Sequence, residues 1–228
     1  MKKTISIILI ILGMVLLSLP YLSELVIKYR VESKRDLLKE IPVEEIQENE
    51  SREAEYDFDS IRDVEVGSMA SGINDFDNRA IIGQIIVPKL NIDLPILKGT
   101  TNANLLVGAT TMKEEQEMGT GNYSLAGHYM KDKNLLFGGL LDIESGTIVK
   151  VTDKSLVYVY RIYDTELVEE TDTYMIEDEI AENKGKPVIS LMSCYYTSKN
   201  GKRFFATGEL IDTYYYNEDN FKSSYNED

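Results

Sequence analysis

The 228-residue chain contains one cysteine, one histidine and no tryptophan. A single cysteine excludes an intramolecular disulfide and any multi-cysteine zinc or iron–sulfur site. A single histidine excludes two-histidine motifs such as HExxH. Any imidazole chemistry therefore falls to His128, and any thiol chemistry to Cys194. Cations are also scarce: 24 Lys and Arg stand against 39 Asp and Glu, a net charge of −15. Such a chain lacks the basic face that displaces counterions from nucleic acid, so no nucleic-acid partner is expected. Hydrophobic residues make up 43%, enough for a core, which excludes a wholly disordered chain.

Charge is missing altogether from Thr4 to Ser23. A helix of that length spans about 30 Å, the thickness of a bilayer's hydrocarbon core. Lys2 and Lys3 precede it, which places the amino terminus in the cytoplasm and the rest outside. The rival is a cleaved signal peptide, but Leu17-Ser18-Leu19-Pro20-Tyr21 is a poor cleavage site. Residues 1–23 are thus read as a cytoplasmic stub and a transmembrane signal anchor, passing once through the cell membrane.

Residues 24–79 read as an acidic extracytoplasmic spacer. Lys28 to Arg79 holds 15 acidic and 8 basic residues. Leu37, Leu38, Ile41 and Ile46 have weak amphipathic spacing, interrupted by Pro42, and the glutamates from Glu44 to Glu55 are expected to stay solvated. Gly67-Ser68 and Ser71-Gly72 punctuate the stretch. This pattern fits a stalk that lifts a domain off the membrane; the alternative is an arm that folds over an active site. At the other end, residues 213–228 form a polar tail without a second apolar span.

Residues 80–212 read as one mostly-β domain. Short β-rich runs cover 82–87, 92–97, 105–107, 122–126, 147–151, 155–163, 187–193 and 203–211. The polar turn at Asp153-Lys154 predicts a hairpin. About eight strands at this spacing predict a closed barrel or a sandwich rather than a parallel α/β sheet. The stretches 112–118 and 173–182 are short helices or long loops.

Three residues stand at strand ends, where a rigid scaffold presents side chains: His128, Cys194 and Arg203. A thiol attacks as thiolate, and an imidazole is its usual proton partner. An arginine can hold a carbonyl or a developing oxyanion. Taken singly each also has a plain reading: an inert buried thiol, a hydrogen-bonded histidine, a solvated arginine. The residues by themselves give an anchored β domain with a candidate Cys–His pair.

The local sequences go further. Ser190-Leu191-Met192-Ser193-Cys194 resembles the Thr-Leu-x-Thr-Cys strand of the sortases, with serines at both threonine positions. Ala126-Gly127-His128 matches their Ala-Gly-His element, and Arg203 in KRFFATGEL their strand-start arginine. IGQIIVPKLNIDLPILKG resembles the family's opening strands, and TMKEEQEMGTGNYSLAGHYM class A members in particular. The resemblance covers about residues 80–211 and implies a closed eight-stranded sortase-type barrel with short helices, preceded by one transmembrane helix. It implies a membrane-anchored cysteine transpeptidase that cleaves a Leu-Pro-x-Thr-Gly sorting signal on exported proteins between Thr and Gly. The threonine carboxyl is then joined to a peptidoglycan-precursor amine. Cys194 would be the nucleophile, His128 the general acid–base and Arg203 the oxyanion ligand. Leu94, Pro95, Ile96, Leu97, Ala126 and Ser193 would line the signal's groove, and residues 164–186 lie where the family's specificity loop lies.

Some class A members bind calcium through acids ahead of the histidine. Glu114, Glu115 and Glu117 stand there and Glu182 is a fourth candidate, but Thr120 replaces an acid, so no cofactor is expected. Pilin-polymerising sortases carry an Asp-Pro-aromatic lid; Asp57-Phe58-Asp59 and Asp75-Phe76-Asp77 are not that motif. That class and a non-enzymatic surface-binding barrel are the alternatives. An L,D-transpeptidase would need Ser-x-Gly-Cys, which Met192-Ser193-Cys194 is not.

Overall fold

The computed structural model describes residues 2–60, 63 and 76–225. The punctuation at Gly67-Ser68 and Ser71-Gly72 lies outside them. Eight strands form: β1 (Ile81–Val87), β2 (Ile92–Leu97), β3 (Ala109–Thr111), β4 (Asn122–Ala126), β5 (Ile148–Thr152), β6 (Leu156–Glu169), β7 (Val188–Cys194) and β8 (Lys202–Tyr215). They close into a barrel in the order β1-β2-β3-β4-β7-β8-β6-β5, with β2–β3 and β4–β7 parallel and the other pairs antiparallel. Closure gives every strand two neighbours. Inward side chains, among them Ile85, Leu94, Ile96, Leu125, Val149 and Leu191, fill the lumen.

The third strand is displaced from its expected place at 105–107. Thr101 accepts the Asn104 N–H and caps a one-turn helix, Asn102–Leu105. Asn104 Nδ2 then donates to the carbonyls of Lys98 and Gly99. The helix consumes Leu105, and the strand begins four residues later. β6 and β8 are also longer than expected, because they pair as a two-stranded ribbon from Leu156↔Tyr215 to Glu169↔Lys202. Much of the expected specificity loop at 164–186 is therefore strand, followed by a 3-10 turn (Thr173–Ile176) and a short helix (Glu179–Lys184).

The acidic stretch before the barrel is not a free stalk. Helix α1 (Lys2–Glu40) bends by 41° where Lys3–Leu19 meets Tyr21–Glu40, at Pro20, whose missing N–H breaks the helix ladder. No single straight helix among the described residues is long and apolar enough to cross a membrane; the bent pair is, by length and composition. Ile27 and Val31 join the barrel's own hydrophobic cluster. Leu38, Ile41 and Ile46, the last on α2 (Val43–Glu50), pack with Ile81, Leu97 and Val107. Glu44, Glu45 and Glu48 face solvent, so α2 is amphipathic: charge outward, Ile46 and Asn49 inward.

Polar clasps fix the arm. Lys154 Nζ, at the tip of the β5–β6 hairpin, donates to the carbonyls of Leu38 (3.2 Å), Lys39 (3.2 Å) and Ile41 (2.5 Å). It satisfies the orphan carbonyls at the carboxyl end of α1 with a cation, where the helix dipole favours one. Lys98 Nζ does the same for the Glu50 carbonyl of α2, and Asn49 Nδ2 donates to the Ile81 carbonyl at 3.0 Å.

The tail is likewise folded rather than simply polar. Residues through Tyr215 belong to β8, and a short helix (Glu218–Lys222) buries Phe221 against Ile86, Val157 and Val159. The Lys150 ammonium, on the outer face of β5, donates to the carbonyls of Asn220 (3.1 Å), Phe221 (3.2 Å) and Ser223 (2.9 Å).

Candidate active site

Strand register brings the three strand-end residues together. β7 and β8 pair antiparallel, and Cys194 lies directly opposite Arg203. Side chains of such a pair share one face of the sheet. β4 and β7 pair parallel, with Ala126 opposite Met192, and the Gly127 N–H continues the ladder to the Met192 carbonyl at 3.0 Å. Two residues beyond that pair stand His128 on one strand and Cys194 on the other. All three are buried: Cys194 is 1%, His128 2% and Arg203 9% exposed.

The Ala-Gly-His element has a steric reason for its glycine. A Cβ on Gly127 would lie 2.5 Å from the Phe137 ring. Phe137 N–H in turn donates to the His128 carbonyl at 3.1 Å, so the histidine backbone is held from the loop side.

Burial pushes the Cys194 thiol up to about 11. Arg203 pulls it down, and Asp63 and Glu170 oppose that pull. Neutral pH therefore leaves the thiol protonated in the unliganded protein, and a base is needed when it attacks. Arg203 Nη2 donates to Glu170 Oε2 at 2.8 Å, and its Nη1 to the Lys202 carbonyl at 3.2 Å. Lys202, on the opposite face, ion-pairs with Glu169. Asp63, far upstream, accepts hydrogen bonds from Thr197 Oγ1 and the Ser198 N–H, both at 2.6 Å. The stretch read as a spacer thus touches the loop that follows Cys194.

A buried apolar cluster packs around Cys194 on the outer face of the barrel. Leu105, Met112, Ala126, Val168, Met192 and Phe205 form it with the thiol, and Met175 and Ile176 cover it from the β6–β7 connection. Of the residues expected in a groove, only Ala126 belongs to this cluster. Leu94 and Ile96 alternate inward and fill the barrel lumen. Leu97 is covered by α1 and α2. Pro95 is buried and lies against Gly108, where its carbonyl would be 2.3 Å from any added Cβ. Ser193 sits one residue out of phase with Cys194 and is fully buried. Met112, Val168 and Phe205 were missed because each lies on a different segment and becomes a neighbour only through barrel closure.

Three of the four calcium candidates share one cavity. Glu114, Glu115 and Glu117 line a cavity of about 820 Å³ with Glu50, Asp153 and Asp178, beside Asn122 at the opposite end of β4 from His128. Glu182 does not line it, and Asp178 is committed to Lys113 Nζ (2.6 Å) and the Asn122 N–H (2.9 Å). Among the described residues no group of three or more His, Cys, Asp or Glu is placed to hold a metal ion.

Comparison with known proteins agrees with this fold. The Sortase domain family model matches residues 85–211. The chain is 36% identical to Sortase A of Listeria monocytogenes over 213 residues, covering 93% of each protein. It is 32% identical to Sortase A of Bacillus anthracis, covering 92% of this chain and 94% of that one. The crystal structure of the Listeria monocytogenes sortase A superposes with a TM-score of 0.57 at 36% identity, over 64% of this chain and 99% of that one. Sortase C-3 of Streptococcus pneumoniae shares the fold, with a TM-score of 0.58 at 20% identity over 82% of this chain and 92% of that one. A barrel that sets a lone thiol opposite an arginine and beside a histidine, matched over nearly its whole length by two proteins of one class, identifies the chain as a member of the sortase family of cysteine transpeptidases, of the class A type.

Proposed function

We propose that this sortase anchors exported proteins to the cell wall by cleaving a carboxyl-terminal Leu-Pro-x-Thr-Gly signal between Thr and Gly. The observation that carries the reading is the Cys194–Arg203 cross-strand pair standing beside a buried apolar cluster. Acyl transfer needs a nucleophile, a proton carrier and a donor for the oxyanion. The leucine and proline of the signal are met by the Met, Val, Ala and Phe side chains of that cluster once it opens to the peptide. The threonine carbonyl then lies at Cys194. His128 takes the thiol proton as sulfur attacks, and the carbonyl oxygen becomes an oxyanion facing the Arg203 guanidinium. As the tetrahedral species collapses, the Thr–Gly C–N bond breaks and His128 passes the proton to the leaving glycine amine. The resulting thioester is attacked by a peptidoglycan-precursor amine; the C–S bond breaks and the proton returns to sulfur.

The enzyme works at the outer face of the cell membrane. The uncharged run from Thr4 to Leu19 with the start of the second arm forms the span, Lys2 and Lys3 lie in the cytoplasm, and α1 continues from the bilayer directly onto the barrel through Ile27 and Val31. No rigid gap separates membrane and active domain on this reading. The test is cleavage of a panel of signal peptides by purified protein, with a small set of amines as acceptors. Release of the glycine fragment and formation of an amine adduct from Leu-Pro-x-Thr-Gly peptides is expected. Equal cleavage of peptides with the leucine and proline replaced by charged residues would overturn the substrate assignment.

A further inference from the structure

Two acidic residues at the end of β6 face two basic residues at the start of β8. Glu169 pairs in register with Lys202, and their side chains form an ion pair. Glu170 lies one residue beyond the strand, and its N–H extends the ladder to the Gly201 carbonyl at 2.7 Å. Alternation puts Glu170 on the same face as Val168, which is the register partner of Arg203. Glu170 is therefore the diagonal neighbour of Arg203 on the face that carries Cys194. Its carboxylate accepts from Arg203 Nη2, while Nη1 is tied to the Lys202 carbonyl. The Arg203 side chain is 11% exposed and that of Glu170 51%. The carboxylate can thus be changed without opening a core.

We propose that Glu170 is a positioning residue for the transpeptidation step: its carboxylate holds the Arg203 guanidinium on the Cys194 side of the β7–β8 ladder, ready for the oxyanion. The inference rests on the oxyanion role given above to Arg203. A long, rotamer-rich side chain contributes to an oxyanion site only when its donors are already oriented, since reorientation during the reaction forfeits the advantage. Three charges bear on the Cys194 sulfur: Arg203 favours the thiolate, and Asp63 and Glu170 disfavour it. His128 stands at the neighbouring strand end. Neutralising Glu170 therefore moves two readouts in opposite senses. The thiolate becomes easier to form, yet the acylation step slows because the guanidinium is no longer held. Loss of a merely structural contact would not produce that combination.

The experiment is a double-mutant cycle on the full chain, with folding checked by thermal melts. Glu170→Gln and Glu170→Ala are made in the wild-type and Arg203→Ala backgrounds. Single-turnover acylation by a Leu-Pro-x-Thr-Gly peptide is followed by mass spectrometry, and Cys194 alkylation by iodoacetamide is followed against pH. With Arg203 present, Glu170→Gln is expected to slow maximal acylation about tenfold with little change in half-saturation, a coupling of ordinary size for contacting residues. Its alkylation profile is expected to move to lower pH. In the Arg203→Ala background neither Glu170 substitution should slow acylation further. Wild-type acylation by Glu170→Gln, or an equal loss in both backgrounds, would overturn the inference while leaving the role of Arg203 intact. An Arg203→Ala variant as fast as wild type would overturn the role of Arg203, and the inference with it.

Discussion

Cys194 and Arg203 face each other across the β7–β8 ladder, whereas Lys202 is turned to the other face and held by Glu169. Adjacent cations of the same strand are thereby turned to opposite faces. Removing an oxyanion donor typically costs about a hundred- to a thousandfold in rate, roughly 3–4 kcal/mol. Arg203→Ala is expected to lose kcat/KM by that order. Arg203→Lys should recover little, since an ammonium keeps the charge without the planar fork. Lys202→Ala should stay within a few fold of wild type. Steady-state peptide cleavage by the three variants checks all of this, and damage confined to Lys202→Ala would contradict the register.

The buried thiol sets a pH dependence. Its value in the fold, about 11, lies above the ordinary 9.0 of a free cysteine. Between those values the unfolded chain has released the proton and the folded protein has not. The contribution of Cys194 to stability is thus complete below pH 9.0 and falls as pH rises towards 11. Alkylation of the unliganded enzyme should accordingly keep rising past pH 9, without a plateau near neutrality. A plateau by pH 7 would show a thiolate already formed at rest.

Ile46 links the pre-barrel arm to the barrel's fate. It is fully buried among Leu38, Ile41, Ile81, Leu97 and Val107. Ile46→Ala is expected to cost about 2–5 kcal/mol, as large-to-small changes in a packed core do. A clear drop in thermal midpoint should follow, with the acylation rate at low temperature unchanged. An unshifted midpoint would return the arm to the status of a solvated spacer.

Ala126 is fully buried in the apolar cluster with Met192 and Cys194. Ala126→Phe should crowd that cluster and raise KM for the signal peptide, with reactivity of Cys194 towards iodoacetamide kept. Leu94→Ala, by contrast, opens the barrel lumen and should lower stability rather than change KM selectively. Measuring KM and thermal midpoint on both variants separates the two roles; the reverse pattern would restore the sequence-based groove.

A mostly-β domain was legible from the chain because its strands are short, β-branched and separated by turn residues, and the catalytic candidates because only one thiol and one imidazole exist; closure into a barrel rather than a sandwich came from the family resemblance. What was not legible depends on contacts distant in sequence. Ile46 and Leu38 show only weak periodicity among many acids, and their burial is decided by an apolar patch on β1 and β2 that no local pattern announces. Phe221 sits in a polar tail, yet Lys150, 71 residues upstream, gathers that tail's carbonyls. The family resemblance implied a groove role for Leu94 and Leu97, but the phase of β2 turns one into the lumen and the other under the arm. In the same way Thr101 caps a helix that takes up Leu105, the first residue of a run that reads as strand.

The central claim is that Cys194 carries the acyl group. The most direct measurement is intact-protein and peptide mass spectrometry of the enzyme mixed with a Leu-Pro-x-Thr-Gly peptide, before and after addition of an acceptor amine. The account predicts a thioester adduct of the Leu-Pro-x-Thr fragment on Cys194, absent in Cys194→Ala and discharged by the amine into a peptide–amine product. An adduct on any other residue, or undiminished turnover by folded Cys194→Ala, would contradict it.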